Sequence, residues 1–115
     1  MPSRFAIFIL LQATEAWLRL PRGERNALAA RHVAAPLAEY PALTMRYFDA
    51  EAFSASCSDL MMIETPDLTQ YYDFIETLRD SPMIATPYFR MTQIIPAIED
   101  GFRAFEDRQR QEKSG

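Results

Sequence analysis

Residues 4–12, RFAIFILLQ, constrain this chain more than any other segment, because they form a β-type run that is apolar on both faces. In a strand, Phe5, Ile7, Ile9 and Leu11 point one way, and Ala6, Phe8 and Leu10 point the other. A strand with one wet face alternates apolar with polar residues, so this one needs cover on both sides. The chain has 115 residues, one domain by length, and is short to supply both covers from its own elements. A second copy is the simplest source of the missing cover.

Composition narrows the partners. An apolar fraction of 49% beside 24% charged residues is that of an ordinary globular protein, able to bury a core without staples. The net charge is −4 and basic residues cluster only at the C-terminus, which argues against nucleic acid and anionic membrane as partners. No apolar run reaches the roughly 18–20 residues that span a bilayer. The opening residues resemble a signal peptide in having one arginine before an apolar run. The run is short, however, Gln12 follows it, and its Phe and Ile content suits a strand better. The single cysteine, Cys57, excludes an internal disulfide and fits a reducing cytoplasm.

After the first strand and the polar connection ATEAW, the segment GERNALAARHVAAPLAEY reads as a helix, with Ala30, Val33, Leu37 and Tyr40 as its buried stripe. Pro36 interrupts the pattern and predicts a kink or division near Arg31 to Ala35, and Pro41 ends the helix. LTMRYFD and CSDLMMIE read as two further strands. Thr65-Pro66-Asp67 marks a second helix, with Thr65 as cap, Pro66 first in the helix and Leu68, Tyr71, Tyr72, Ile75 and Leu78 as its apolar face. Ser81-Pro82 closes that helix. Pro87 introduces the strand YFRMTQII, which Pro96 is expected to stop, and Ile98, Phe102 and Phe105 line one side of a short last helix. Residues 108–115 read as a solvated, flexible tail.

The order β-α-β-β-α-β-α predicts a single α+β domain over residues 1–115, ferredoxin-like βαββαβ with a C-terminal helix. In that topology the first strand is central, both main helices lie on one sheet face, and the other face is bare. A bare apolar sheet predicts a homodimer closed sheet to sheet, of the dimeric α+β-barrel type.

The segments RYFDAEAFSASCSD, TPDLTQYYDFIETLRDSP and IIPAIEDGFRAFE resemble the Darcynin family of small, mainly bacterial proteins. The resemblance runs from about Phe5 to Glu106 and is most specific from Arg46 to Asp59. It implies a ferredoxin-like α+β domain, and it brings no established activity and no catalytic residue to transfer.

Candidate chemistry therefore rests on placement. If the loop Asp49 to Ser56 joins strands two and three, Phe48 faces Cys57 and Arg46 faces Asp59. Thr44, Arg46, Phe48, Cys57, Asp59 and Met61 then share the subunit-facing side, and Leu43, Met45, Tyr47, Ser58, Leu60 and Met62 the helix-facing side. The Arg46–Asp59 pair either fixes the hairpin register at the dimer face or orients a substrate carbonyl or carboxylate; a one-residue slip would carry both residues into the pocket. A ligand site is expected between the helix-facing side of the sheet and the two main helices, near Trp17, Tyr47, Glu64, Tyr71 and Tyr72, because Pro36 prevents continuous close packing there. The aromatics would stack on a planar molecule while Glu64 accepted a hydrogen bond or a proton.

Other residues point to little chemistry. Asp49, Glu51, Ser54 and Ser56 crowd the hairpin loop, where acids and hydroxyls make local turns. Cys57 has no neighbouring base, and His32 lies off the apolar stripe, which argues against a haem ligand. One histidine and one cysteine cannot form a zinc site within one chain, and three glycines make no phosphate cradle, so no metal, haem or nucleotide cofactor is expected. Three readings follow: a homodimer that binds a small, partly apolar molecule; a cofactor-free oxygenase or isomerase acting on an aromatic or enolisable substrate, with Asp59 or Glu64 as base; and a structural or protein-interaction module.

Overall fold

A computed structural model describes residues 4–114. Four strands, β1 (Phe5–Ala13), β2 (Thr44–Asp49), β3 (Asp59–Thr65) and β4 (Phe89–Ile98), form one sheet in the order β2-β3-β1-β4, with every neighbouring pair antiparallel. This is the ferredoxin-like α+β arrangement, with β1 in the interior as its two-sided apolarity requires. Ile7, Ile9 and Leu11 are buried beneath the helices together with Met61 and Ile63 of β3. Ala6, Phe8 and Leu10 lie on the other face, only partly buried, beside Leu60 and Met62. No helix of the described residues is long and apolar enough to cross a membrane.

Between β1 and β2 come α1 (Glu15–Leu18), α2 (Arg22–Ala29), one π-helical turn (Ala30–Ala34) and α3 (Ala35–Ala38). The break expected from Pro36 takes the form of that wide turn. Ala35 donates its N–H to the carbonyl of Ala30, five residues back, and Pro36 follows with no N–H to give.

The second helical segment, α4 (Leu68–Asp80), starts two residues later than expected. Its cap is Asp67, whose carboxylate accepts the N–H groups of Thr69 at 2.9 Å and Gln70 at 3.2 Å. Thr65 remains in β3, and its hydroxyl accepts the Asp67 N–H at 3.0 Å, which shapes the turn into the helix. The buried stripe of α4 is Phe74, Ile75 and Leu78 with Tyr71 beside it, whereas Leu68 and Tyr72 stand exposed at its margin. Phe74, absent from the expected stripe, is fully buried and meets Tyr40 edge-on at 6.3 Å. Ser81 caps the short α5 (Pro82–Ala85) through the Met83 N–H.

β4 passes through Pro96 instead of stopping there. It is an edge strand, so a missing N–H leaves the ladder to β1 intact. The last helix, α6 (Gly101–Ser114), takes in residues 108–114 of the segment read from sequence as a tail, and residue 115 lies outside the described residues.

The hairpin register differs from the sequence-based expectation. Ala50 to Ser58 form the connection, and Arg46 faces Met62, Tyr47 faces Met61 and Asp49 faces Asp59. The slip is an odd number of residues, so β3 is turned over relative to β2. Asp59 and Met61 join Tyr47 on the helix side, and Leu60, Met62 and Glu64 join Arg46 on the open side.

Candidate functional site

A cleft of about 700 Å³ lies between the helix-facing side of β2 and β3 and the wide turn before Pro36. Its helical wall is made of small side chains, Ala29, Ala30, Ala34 and Ala38, with Val33 and Leu37 between them. Its floor is Leu11, Met45 and Met61, and one end is closed by Met83, Phe89 and Trp17. The π turn widens the helix where alanines face the sheet, and small side chains beside a widened turn leave space that Leu or Phe would fill.

Trp17 is held in place by its own short helix. The Thr14 hydroxyl caps α1 by accepting the Trp17 N–H at 3.4 Å, and it donates toward the carbonyls of Pro87 at 2.9 Å and Tyr88 at 3.0 Å. The indole then packs, tilted, against Phe89 at 4.8 Å and Tyr88 at 5.7 Å.

The polar end of the cleft is Tyr47, Asp49 and Asp59. Asp59 is buried at the start of β3, and Ser58 donates to its Oδ2 at 2.6 Å while accepting the Ala13 N–H at 2.8 Å. Burial raises the Asp59 carboxyl above its usual 3.8, and Asp49 directly across the hairpin raises it further. The hydrogen bonds from Ser58 and Tyr47 oppose that rise. Tyr47 as a whole is 45% exposed, yet its phenol is also pushed up, first by desolvation inside the cleft and then by the carboxylates of Asp59, Asp49 and Glu51. The site therefore offers a phenol that keeps its proton and a carboxyl with raised proton affinity, at the end of a mainly apolar cleft.

Of the residues expected to gather here, Trp17 and Tyr47 line the cleft. Tyr71 is half-buried against the core without lining it, and Tyr72 is 62% exposed on the outer side of α4. Glu64 points away, on the open sheet face, with its carboxylate 3.9 Å from the Arg4 guanidinium. The expected Arg46–Asp59 pair does not form, because the register sets the two side chains on opposite faces. Arg46 instead lies over the Phe48 ring at 5.2 Å, still on the open side, and Asp59 enters the cleft. Asp49, read as a loop acid, is the last residue of β2, and its parity with Tyr47 is the sequence signal that places it here. His32 lies on the π turn, half-buried and outside the cleft lining. Among the described residues no group of three or more His, Cys, Asp or Glu side chains is placed to hold a metal ion.

Fold and site together define a ferredoxin-like α+β protein with an apolar cleft under its helices. The chain belongs to the Darcynin family, a domain of unknown function whose model matches residues 2–110. It is 55% identical to Darcynin of Chromobacterium violaceum over 60% of this chain and 87% of that protein. It is 39% identical to Darcynin 1 of Acinetobacter baumannii over 77% of this chain and 99% of that protein. Among solved structures it resembles chlorite dismutase from Candidatus Nitrospira defluvii in complex with imidazole, with a TM-score of 0.71 at 10% identity. That match covers 84% of this chain and 40% of the longer chain, and at such identity it shows a shared fold alone.

Proposed function

We propose that this protein binds a small, mainly apolar molecule in the cleft beneath the π turn, with a polar end of the ligand set against Tyr47 and Asp59. The observation that carries the reading is the pairing of a largely apolar lining of about 700 Å³, within the range of small-molecule sites, with one cluster of convergent polar groups. A ligand end that both donates and accepts, such as a hydroxyl or an enolisable carbonyl, matches a phenol donor beside a carboxyl. The experiment is a thermal-shift screen of small aromatic and alicyclic alcohols and ketones, with hits repeated on Tyr47→Phe. Stabilisation that weakens in the variant supports the reading, and no stabilising compound in such a panel counts against it.

The Asp59 environment favours a second reading, catalysis. A carboxyl with raised proton affinity inside a cleft is suited to move a proton on an enolisable substrate without a cofactor. Deuterium exchange into a bound ketone, lost in Asp59→Asn, separates catalysis from binding.

The assembly belongs to the same proposal. Phe8, Leu10, Leu60 and Met62 form a partly exposed apolar sheet face with no helix over it among the described residues, and a second copy of that face is its natural cover. The lone buried thiol of Cys57 suits a cytoplasmic protein.

A further inference from the structure

The C-terminal helix carries its own apolar stripe away from the body. Phe102 and Phe105 are 64% and 54% exposed, α6 has no substantial packing contact with another element among the described residues, and these extend over 61 × 31 × 18 Å. A 14-residue helix is marginal alone in water, and most of its stability comes from packing an apolar face.

A matching surface lies elsewhere in the fold. The Arg79 guanidinium approaches the Met91 sulfur at 3.9 Å, so that side of α4 looks along β4. Tyr72 and Leu68 stand two and three helical turns earlier on the same side. α4 also begins at the sheet end where Thr65 and Ile98 both flank Phe5. Leu68 and Tyr72 therefore run beside Ile94 and Ile98, and all four are exposed, by 45%, 62%, 39% and 50%. The result is an apolar channel on the helix side of β4, bordered by the acids of α4.

We propose that this channel receives α6 of a second copy of the chain, each copy giving its helix to the other. Charge favours the match. α6 carries four basic and three acidic side chains on a chain of net charge −4, whereas α4 carries three acids and one arginine. Geometry disfavours the chain's own helix as the occupant. Only Glu99 and Asp100 separate β4 from α6. The Glu99 N–H is bonded to the Arg4 carbonyl at 2.8 Å, extending the ladder to β1, and Asp100 takes φ 47°. Gly101 follows so closely that an added Cβ would lie 3.4 Å from the Ile98 side chain. The exit is thus tied in the outward direction, and folding back would break these contacts. The inference is independent of the ligand cleft and of the sheet-face contact.

The test uses full-length chains in a Cys57→Ser background, one carrying Glu76→Cys on the channel border and the other Gln109→Cys on α6, mixed and treated with a short bis-maleimide. The expected result is a two-chain species joining the two variants, lost when Phe102→Glu and Phe105→Glu are added to the α6 partner. Both phenylalanines are exposed, so those changes leave the body folded. A double variant, E76C with Q109C, that links only within one chain would overturn the proposal in favour of the chain's own helix. Absence of any link in the mixture would overturn it as well.

Discussion

Asp49 and Asp59 face each other directly across the β2–β3 hairpin, at the polar end of the cleft. The facing Asp49 disfavours negative charge on Asp59. The buried one, Asp59, holds its proton to higher pH than an ordinary aspartate, and the neighbouring Tyr47 phenol holds its own. Ser58 fixes the orientation of Asp59 from the strand start, so the pair is built into the fold.

The pH dependence of stability follows with a definite sign. Asp59 is raised on folding, so the folded state binds the proton more tightly. Its contribution is full below the unfolded value near 3.8 and is lost as pH rises through the folded value. Asp59→Asn keeps an oxygen for Ser58 and removes the repulsion with Asp49. The variant is expected to melt above the parent near neutral pH, with the difference shrinking as pH falls toward 4. Tyr47→Phe removes a hydrogen bond that lowers the Asp59 carboxyl, so it is expected to move this fall in stability to higher pH. Melting curves across pH 3 to 8 check both.

Ser58→Ala removes the donor to Asp59 and the acceptor of the Ala13 N–H in one step, both in the interior. A loss of about 2 kcal/mol is expected, since hydrogen bonds to charged groups are the stronger class. Urea unfolding at neutral pH measures it. The same loss in an Asp59→Asn background, which keeps an oxygen for Ser58, would show that the carboxylate charge adds little to the bond.

Phe8 lies on the open sheet face beside Met62 and Ile95. Phe8→Glu would place a carboxylate in the contact between two sheets. In a background carrying Phe102→Glu and Phe105→Glu, which removes the helix exchange, light scattering at micromolar concentration is expected to give two-chain mass, and single-chain mass once Phe8→Glu is added. Single-chain mass for that background alone would exclude the sheet-face dimer.

The architecture was legible because its signals are local and mutually consistent: a two-faced β1, prolines at the element ends, and Thr65-Pro66-Asp67 before an amphipathic run. Pro36 likewise located the break that became the π turn. The hairpin register was not legible, and the cause is physical. In DLMMIET, Leu60 and Met62 are as apolar as Met61 and Ile63, because this strand, like β1, needs cover on both faces, so alternation could not choose between them. The turn was also longer than assumed. Ser58 leaves the strand, donating its N–H to the Leu11 carbonyl and accepting the Ala50 N–H on its own. That one ambiguity misplaced Glu64 and Asp59 together. Tyr47 and Trp17 were placed by β2 parity and by the connection after β1, neither of which depends on the register of β3.

The central claim is that the cleft under the π turn holds a small apolar molecule, and a titration with the neutral fluorescent amine 1-aminoanthracene tests it most directly. Trp17 is the sole tryptophan and lines the cleft, so its emission reports occupancy alongside that of the probe. The expected result is saturable binding of one probe per chain with quenching of Trp17, abolished by Ala34→Trp, which fills the cleft from the helical wall. Lack of saturable binding, or equal binding by parent and filled variant at unchanged melting temperature, would contradict it.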